Sequence, residues 1–185
     1  MGLVLAICGM PASGKGEFAS VLANRGIPVR SMGDMVRAEV NRLGLAESPN
    51  VFGDVASSLR EQFGDDILAV RLISVVDRLL QDNPIVLIEG MRGVAEKKIF
   101  MQHWGEKFLS IGITASKETR FQRVLSRNRA EDGDRDSFET RDEREKGWGL
   151  ESIIEESDII FSNDDELVDL SFLVSTWLDN LGLGP

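Results

Sequence analysis

Ten residues near the start of the chain combine glycines and one lysine in a spacing that suits phosphate binding. Cys8 to Glu17 reads C-G-M-P-A-S-G-K-G-E, so Gly9, Gly14 and Lys15 fit the pattern G-x-x-x-x-G-K. The stretch follows an apolar, strand-like run and precedes an amphipathic segment, which is the context that a phosphate-binding P-loop requires. Glycines let successive backbone N–H groups point inward as an anion nest at a helix N-terminus. The pattern therefore predicts a nucleoside triphosphate site, with the lysine near the terminal phosphates.

The residue after this lysine departs from the common pattern. Most P-loops place Ser or Thr there, and its hydroxyl ligates Mg²⁺, whereas this chain has Gly16 followed by Glu17. A carboxylate at that place interacts favourably with the helix dipole but repels phosphate, unless it holds the metal through water. The predicted nucleotide-binding residues of the loop are Gly9, Met10, Pro11, Ala12, Ser13, Gly14, Lys15, Gly16 and Glu17.

Length and composition indicate one globular domain over residues 1–185. Apolar residues make up 42% of the chain and charged residues 28%, as in ordinary soluble domains. No apolar run is long enough to span a membrane, so we expect no membrane partner. The single cysteine, Cys8, cannot form an internal disulfide, which fits a reducing, cytoplasmic location.

The net charge of −10 is distributed unevenly. Residues 151–185 contain nine Asp or Glu and no Lys or Arg, whereas residues 117–129 contain five basic side chains. An acidic protein with one local arginine cluster lacks the broad basic face that nucleic-acid binding needs. The distribution instead favours a small, multiply charged ligand. It leaves the oligomeric state open.

Short apolar runs alternate with helical patterns, which is typical of a parallel α/β sheet. The predicted strands are Leu3–Cys8, Pro28–Arg30, Ile85–Glu89, Phe108–Thr114 and Asp158–Ser162. The predicted helices are Lys15–Asn24, Asp34–Leu43, Val51–Phe63, Asp65–Gln81, Ala95–Trp104, Lys117–Arg127, Phe138–Lys146, Leu150–Glu156 and Asp165–Leu181.

Two segments depart from this alternation. Residues 34–82 hold three helical patterns without a strand, which predicts a helical excursion from the sheet. Residues 128–149 are highly charged and poor in aliphatic side chains, with a turn at Asp132-Gly133-Asp134. Such a segment is expected to add little to the core and to act as a mobile lid.

Two further blocks carry side chains suited to anions and metals. In the first, Ser31 or Asp34 can cap the helix that follows the second strand, and Arg37 lies one turn into that helix, where it can bind an anion. In the second, Glu89 ends the third predicted strand near the switch point of the sheet, and Arg92 follows it.

These blocks resemble the nucleoside monophosphate kinase branch of P-loop proteins, adenylate kinases in particular. The phosphate loop of that family reads G-x-P-x-x-G-K-G, and its acceptor block S-T-G-D-M-L-R is matched here except that Met32 replaces the Thr. The resemblance implies a three-layer α/β/α P-loop kinase fold that transfers a phosphoryl group from ATP, with Mg²⁺, to a small phosphate acceptor. It also implies an acceptor site formed by Ser31, Asp34, Arg37 and Arg92.

The spacing from Glu89 to Arg92 is shorter than in adenylate kinases. It is similar to the D-G-x-R of an archaeal family of adenylate-kinase-related proteins whose substrate is unassigned. By this resemblance Glu89 holds Mg²⁺ through water, and Arg92 binds the acceptor phosphate.

The arginine cluster of residues 117–129 includes Arg123-Val124-Leu125-Ser126-Arg127, which resembles the R-L-x-G-R that leads into the adenylate kinase lid. The resemblance implies that Arg123 lies near the base and that Arg127 contacts the phosphates. Arg141 would reach the site from the far side of the lid, with Arg144 and Arg135 as further candidates. The implied catalytic residues are thus Lys15, Arg92, Arg127 and Arg141.

The last block, Ser157 to Asn163, is similar to the A-D-x-x-I-x-N of dephospho-coenzyme A kinases. Asn163 then either lies beside the adenine or caps a helix. The preferred acceptor is a nucleoside monophosphate, with dephospho-coenzyme A as the alternative. An ATP-binding regulatory module with little kinase activity also stays open, because of Gly16, Glu17 and Met32.

Overall fold

A five-stranded parallel sheet forms the centre of the molecule. The computed structural model describes residues 2–127, 134–164 and 167–182. The strands pair in the order β2-β3-β1-β4-β5, all in parallel. They are β1 (Leu3–Cys8), β2 (Val29–Ser31), β3 (Ile85–Met91), β4 (Phe108–Thr114) and β5 (Ile159–Ser162). The strand order reverses direction beside β1, which creates the crevice where open α/β sheets bind ligands.

Helices cover both faces of this sheet, so the α/β expectation is confirmed. They are α1 (Lys15–Asn24), α2 (Met32–Arg42), α3 (Pro49–Phe63), α4 (Ile67–Leu79), α5 (Val94–Trp104), α6 (Lys117–Arg127), α7 (Arg135–Gly147), α8 (Leu150–Glu155) and α9 (Leu167–Asn180). The bounds of β1, α1, β4 and α6 agree with those predicted. None of the described helices has the length and apolar character required to cross a bilayer.

The side chains of β1 are buried on both faces, as expected of a central parallel strand. Val4, Ala6 and Cys8 pack on one side with residues of α2 to α5 and α8. Leu5 and Ile7 pack on the other side with residues of α1 and α9. This two-sided core explains why the continuous apolar run of the sequence is a strand.

Strand β3 runs two residues further than predicted. Its register with β1 shifts between Ile7 and Cys8, so that Ile7 pairs with Glu89 and Cys8 with Met91. Gly90 takes a positive φ of 88° at this irregularity. Arg92 follows this irregularity and is near enough to Lys15, after β1, for the two charges to interact.

The charged segment after α6 contributes more to the core than its composition predicts. Asp134 caps α7 by accepting a hydrogen bond from Ser137 N at 2.9 Å, and Phe138, Asp142 and Glu145 of this helix are buried. The composition misleads because the buried charges are paired: Arg120 donates to both oxygens of Asp142, at 2.8 and 2.6 Å. The mobility expected of a lid stays a prediction, and residues 128–133 lie outside the described part of the chain.

Candidate phosphoryl-transfer site

The loop between β1 and α1 has the backbone geometry of an anion nest. Ala12 and Gly14 have positive φ values of 63° and 114°, and Ser13 N donates to Met10 O at 3.1 Å. A Cβ at Gly14 would collide with the side chain of Asn163, so this position requires glycine for both conformation and space. The loop leads directly into the N-terminus of α1, where unpaired N–H groups and the helix dipole attract anions.

Lys15 lies on this loop, half-buried. Its ammonium donates to the carbonyl oxygens of Gly9 at 2.5 Å and Met10 at 2.9 Å. Burial lowers the pKa of Lys15 to about 8; Glu145 opposes this shift, and the positive charges of Arg92 and Arg141 add to it. The amine is therefore easier to deprotonate than an ordinary lysine.

Asn163 anchors the loop from the end of β5. Its side-chain Nδ2 donates to Ser13 O at 2.8 Å, and its Oδ1 accepts from Arg123 at 3.4 Å. The residue is only 2% exposed. Asn163 thus acts on the P-loop backbone, a role that neither sequence interpretation of this residue included.

Glu17 has a protein partner. Its Oε1 accepts a hydrogen bond from Ser171 Oγ at 2.7 Å, which links α1 to α9. The carboxylate also borders the cleft described below. This interaction gives the unusual residue a structural function that does not depend on a metal ion.

The acceptor block begins α2 as predicted. Ser31 Oγ caps the helix by accepting from Gly33 N at 3.2 Å. Asp34 and Arg37 form an ion pair of 2.7 Å near the surface, and the Arg37 guanidinium lies 5.6 Å from the ring centroid of Phe52. All these side chains border the same cleft as the P-loop.

Glu96 fixes the backbone of the turn after β3. This carboxylate is fully buried, and it accepts from Arg92 N at 2.8 Å and Gly93 N at 3.1 Å. Its other oxygen pairs with Arg60 at 2.7 Å, whose guanidinium lies 4.1 Å from the centroid of Trp148. The backbone of Arg92 is thereby fixed just after β3, and both Arg92 and Glu89 of that strand border the cleft described below.

A carboxylate that the sequence interpretation missed lies at the centre of the site. Glu145 Oε1 is 3.0 Å from Arg141 Nε and 3.3 Å from Arg92 Nε. Burial alone would raise its pKa, but the charges of Arg92, Arg141 and Lys15 lower the pKa of Glu145 to about 2. The pairing is incomplete, because Arg92 Nε and Glu145 Oε2 are buried without a hydrogen-bond partner.

The other predicted arginines divide into two groups. Arg123 and Arg141 border the cleft, and partial burial lowers the pKa of Arg123 while nearby Asp164 opposes that shift. Arg135 instead pairs with Glu139 at 3.3 Å and lies over Phe121, and it does not border the cleft. The side chain of Arg127 lies outside the described residues.

One cleft of about 540 Å³ connects these groups. The P-loop with Lys15 borders it, as do α2, α3 and the end of α7. The cationic side chains that border it are Lys15, Arg37, Arg92, Arg123, Arg141 and Arg144, and the carboxylates are Glu17, Asp34, Glu89 and Glu145. The volume is in the range of small-ligand pockets.

Comparison with known proteins places the chain in a family. A family model described as an AAA domain matches residues 8–141. A UPF0200 protein of Methanosarcina barkeri is 43% identical over 165 residues, covering 89% of this chain and 88% of its own. A UPF0200 protein of Methanoregula boonei is 37% identical over 183 residues, covering 98% and 99%.

The chain belongs to the UPF0200 family and carries an AAA domain. The expected relation to an archaeal family of P-loop proteins is thereby confirmed. As in adenylate kinases, this UPF0200 chain has Gly rather than Ser or Thr directly after the P-loop lysine.

Solved structures show that the UPF0200 chain has a P-loop kinase fold. Dephospho-CoA kinase from Campylobacter jejuni aligns with a TM-score of 0.62 and 13% identity, covering 98% of both chains. Shikimate kinase from Aquifex aeolicus aligns with a TM-score of 0.54 and 17% identity, covering 99% of this chain and all of that one. At such low identity the likeness concerns the fold alone.

Proposed function

We propose that the protein transfers a phosphoryl group from ATP to a small anionic acceptor, with a nucleoside monophosphate as the preferred class. The observation that carries this proposal is the position of Glu145. Its carboxylate lies within reach of Arg92 and Arg141, and the positive charges of these two arginines and of Lys15 lower its pKa. A phosphoryl group in transfer also carries anionic oxygens, and Lys15, Arg92 and Arg141 are placed to form ion pairs with them.

The donor side supports ATP binding. The positive φ values at Ala12 and Gly14 direct backbone N–H groups towards the start of α1, where phosphate oxygens are stabilised by hydrogen bonds and by the dipole. Lys15 exchanges its two carbonyl partners for phosphate oxygens when the nucleotide binds. The negative charge of the phosphates raises the pKa of its amine and keeps it protonated.

Phosphoryl transfer depends chiefly on positioning and charge neutralisation. Lys15 and Arg141 neutralise charge on the transferred group, and Arg92 orients the acceptor. Among the described residues no three acidic, His or Cys side chains are close enough to form a complete metal site. The lone Glu89 fits Mg²⁺ that takes most of its ligands from phosphate and water. When bound, that ion supplies additional positive charge at the phosphates.

The acceptor side supports an anionic substrate. Arg37, Arg92 and Arg144 border it, whereas a protein that only senses ATP has no need of a second anion site.

A screen for ADP formation tests this function. Purified protein is incubated with ATP, Mg²⁺ and, in turn, each nucleoside monophosphate and dephospho-coenzyme A, with Lys15→Ala as the control. The proposal expects acceptor-dependent ADP release with at least one nucleoside monophosphate and none from the variant. ADP release with dephospho-coenzyme A alone would show that this compound, and not a nucleoside monophosphate, is the acceptor. ATP binding without ADP release from any acceptor would favour the regulatory module.

A further inference from the structure

Arg144 occupies an unusual position on the acceptor side of the cleft. It lies one turn after Arg141 on α7, and its guanidinium rests against Gly53 of α3. A Cβ added at Gly53 would overlap the guanidinium, so this contact exists only because the helix has no side chain there. Gly53 has ordinary helical geometry and needs no positive φ. The glycine therefore serves to make room for the guanidinium.

Arg144 also differs from the other cations of the cleft in its partners. Lys15 donates to two carbonyl groups, Arg123 contacts Asn163, Arg37 pairs with Asp34, and Arg92 and Arg141 share Glu145. Within the described chain, no carboxylate lies at ion-pair distance from Arg144, and its buried Nε has no hydrogen-bond partner.

This arrangement is costly unless a ligand completes it. Removing a guanidinium from water without an anionic partner is unfavourable, and partial burial lowers the pKa of Arg144 while Glu145 and Asp54 oppose that shift. The group nonetheless remains charged. Arg144 borders the cleft, and an oxyanion there can accept two hydrogen bonds from one guanidinium.

Apolar side chains also border the cleft that Arg144 lines. Val36, Phe52, Ala56 and Trp148 border the same end of the cleft, and the Arg144 guanidinium lies 5.9 Å from the ring centroid of Trp148. A ligand that fits this end combines an anionic group with an apolar or flat ring body.

We propose that Arg144, seated on Gly53, binds an anionic group of the acceptor, while Phe52 and Trp148 contact its apolar or ring body. This inference rests on the proposed phosphotransferase function and names the chemical class of its second substrate. A phosphate and a carboxylate share the required chemistry, and the test below separates them. The nucleotide donor does not depend on this subsite.

Two variants remove the subsite in different ways. Arg144→Gln removes the charge. Gly53→Ala keeps the charge but displaces the guanidinium, and it replaces glycine within a helix by a better helix former, so its folding should not suffer. Arg135→Gln is the matched control, because Arg135 lies on the same helix outside the cleft. Melting temperatures confirm that each variant is folded.

Calorimetric titration provides the measurement. Each protein is saturated with a non-hydrolysable ATP analogue and titrated with AMP as the phosphate probe and with 4-hydroxybenzoate as the carboxylate probe. We expect wild type and Arg135→Gln to bind one of the two. The Kd of that probe should rise by about tenfold or more in Gly53→Ala and in Arg144→Gln, because hydrogen bonds to a charged group are lost. The double variant should lose no more than Arg144→Gln alone, because both changes act on one contact.

The outcomes separate this inference from the function on which it rests. Failure of wild type to bind the ATP analogue contradicts the phosphotransferase proposal itself. Normal analogue binding with an unchanged probe Kd in both variants, or with neither probe bound by wild type, overturns the Arg144 subsite alone. Which probe binds identifies the anionic group as phosphate or carboxylate.

Discussion

The carboxylate of Glu145 lies 3.3 Å from Nε of Arg92, so that a residue of α7 neutralises the arginine that follows β3. The two side chains come from different elements, the turn after β3 and α7, and Lys15 of the P-loop is close enough to interact electrostatically with both. The contact brings one carboxylate and three cations together at the cleft.

Replacing Glu145 by glutamine should destabilise the protein without nucleotide and strengthen its response to nucleotide. The change leaves Lys15, Arg92 and Arg141 close together without the carboxylate that pairs with them. An anionic ligand then no longer competes with that carboxylate for the three cations. We expect Glu145→Gln to lower the melting temperature of the ligand-free protein and to enlarge the shift caused by ATP. Differential scanning fluorimetry measures both. Glu143→Gln is the control, because Glu143 lies on the same helix but is largely exposed; a similar response from that variant would contradict a specific effect of Glu145.

The low pKa of Glu145 predicts that the folded protein loses stability in acid. The pKa of Glu145 is about 2 in the folded protein against an ordinary 4.5, so the unfolded state binds the proton first. Its contribution is complete above pH 4.5 and is lost as the pH falls from 4.5 towards 2. At about 1.4 kcal/mol per pKa unit, this contribution is on the order of 3 kcal/mol. Urea unfolding between pH 6 and pH 3 should show a smaller decline for Glu145→Gln than for wild type; parallel curves would contradict the assignment.

Glu96 is expected to act as a positioning residue for Arg92. Glu96→Gln removes the charge that Arg60 pairs with in a fully buried position, and breaking a buried ion pair typically costs about 3–5 kcal/mol. Denaturant unfolding should show this loss. Adding Arg60→Met to Glu96→Gln should restore part of the stability, because the unpaired charge is then removed. A loss that the second substitution deepens would contradict this explanation.

Asp142 anchors α7 to the rest of the molecule. Its ion pair with Arg120 is buried on both sides, and Arg120 also donates to Pro11 O of the P-loop at 3.1 Å. We expect hydrogen exchange to show protected amides in the middle of α7 in wild type and clearly faster exchange there in Asp142→Asn. Rapid exchange throughout α7 of the wild type would instead support a mobile lid that includes this helix.

The sequence predicted the features that depend on local patterns. Apolar runs located the strands, and the spacing of Gly9, Gly14 and Lys15 located the phosphate loop, because both follow from neighbours in the chain. Glu145 could not be found in this way. Its position four residues after Arg141 is the same pattern as an ordinary surface ion pair of a helix, and only the packing of α7 against α3, α6 and α8 distinguishes the two.

Contacts between residues far apart in the chain explain why the roles of Asn163 and Glu17 differ from those predicted. Asn163 binds the backbone of Ser13, 150 residues earlier, and no local pattern predicts such a partner. Glu17 raises the same difficulty, because its hydrogen bond to Ser171 depends on how α9 packs beside α1. The structure therefore adds pairings between distant residues to a fold and a motif that the sequence already indicates.

Direct titration of the protein with ATP and Mg²⁺ tests the central claim, that the loop around Lys15 binds the phosphates of a nucleotide. Calorimetry should show saturable binding at one site per chain in wild type. Lys15→Ala, which removes the ammonium but leaves the loop, should weaken that binding by about 10- to 100-fold. An absence of binding by wild type, or equal affinity in the two proteins, would contradict the account.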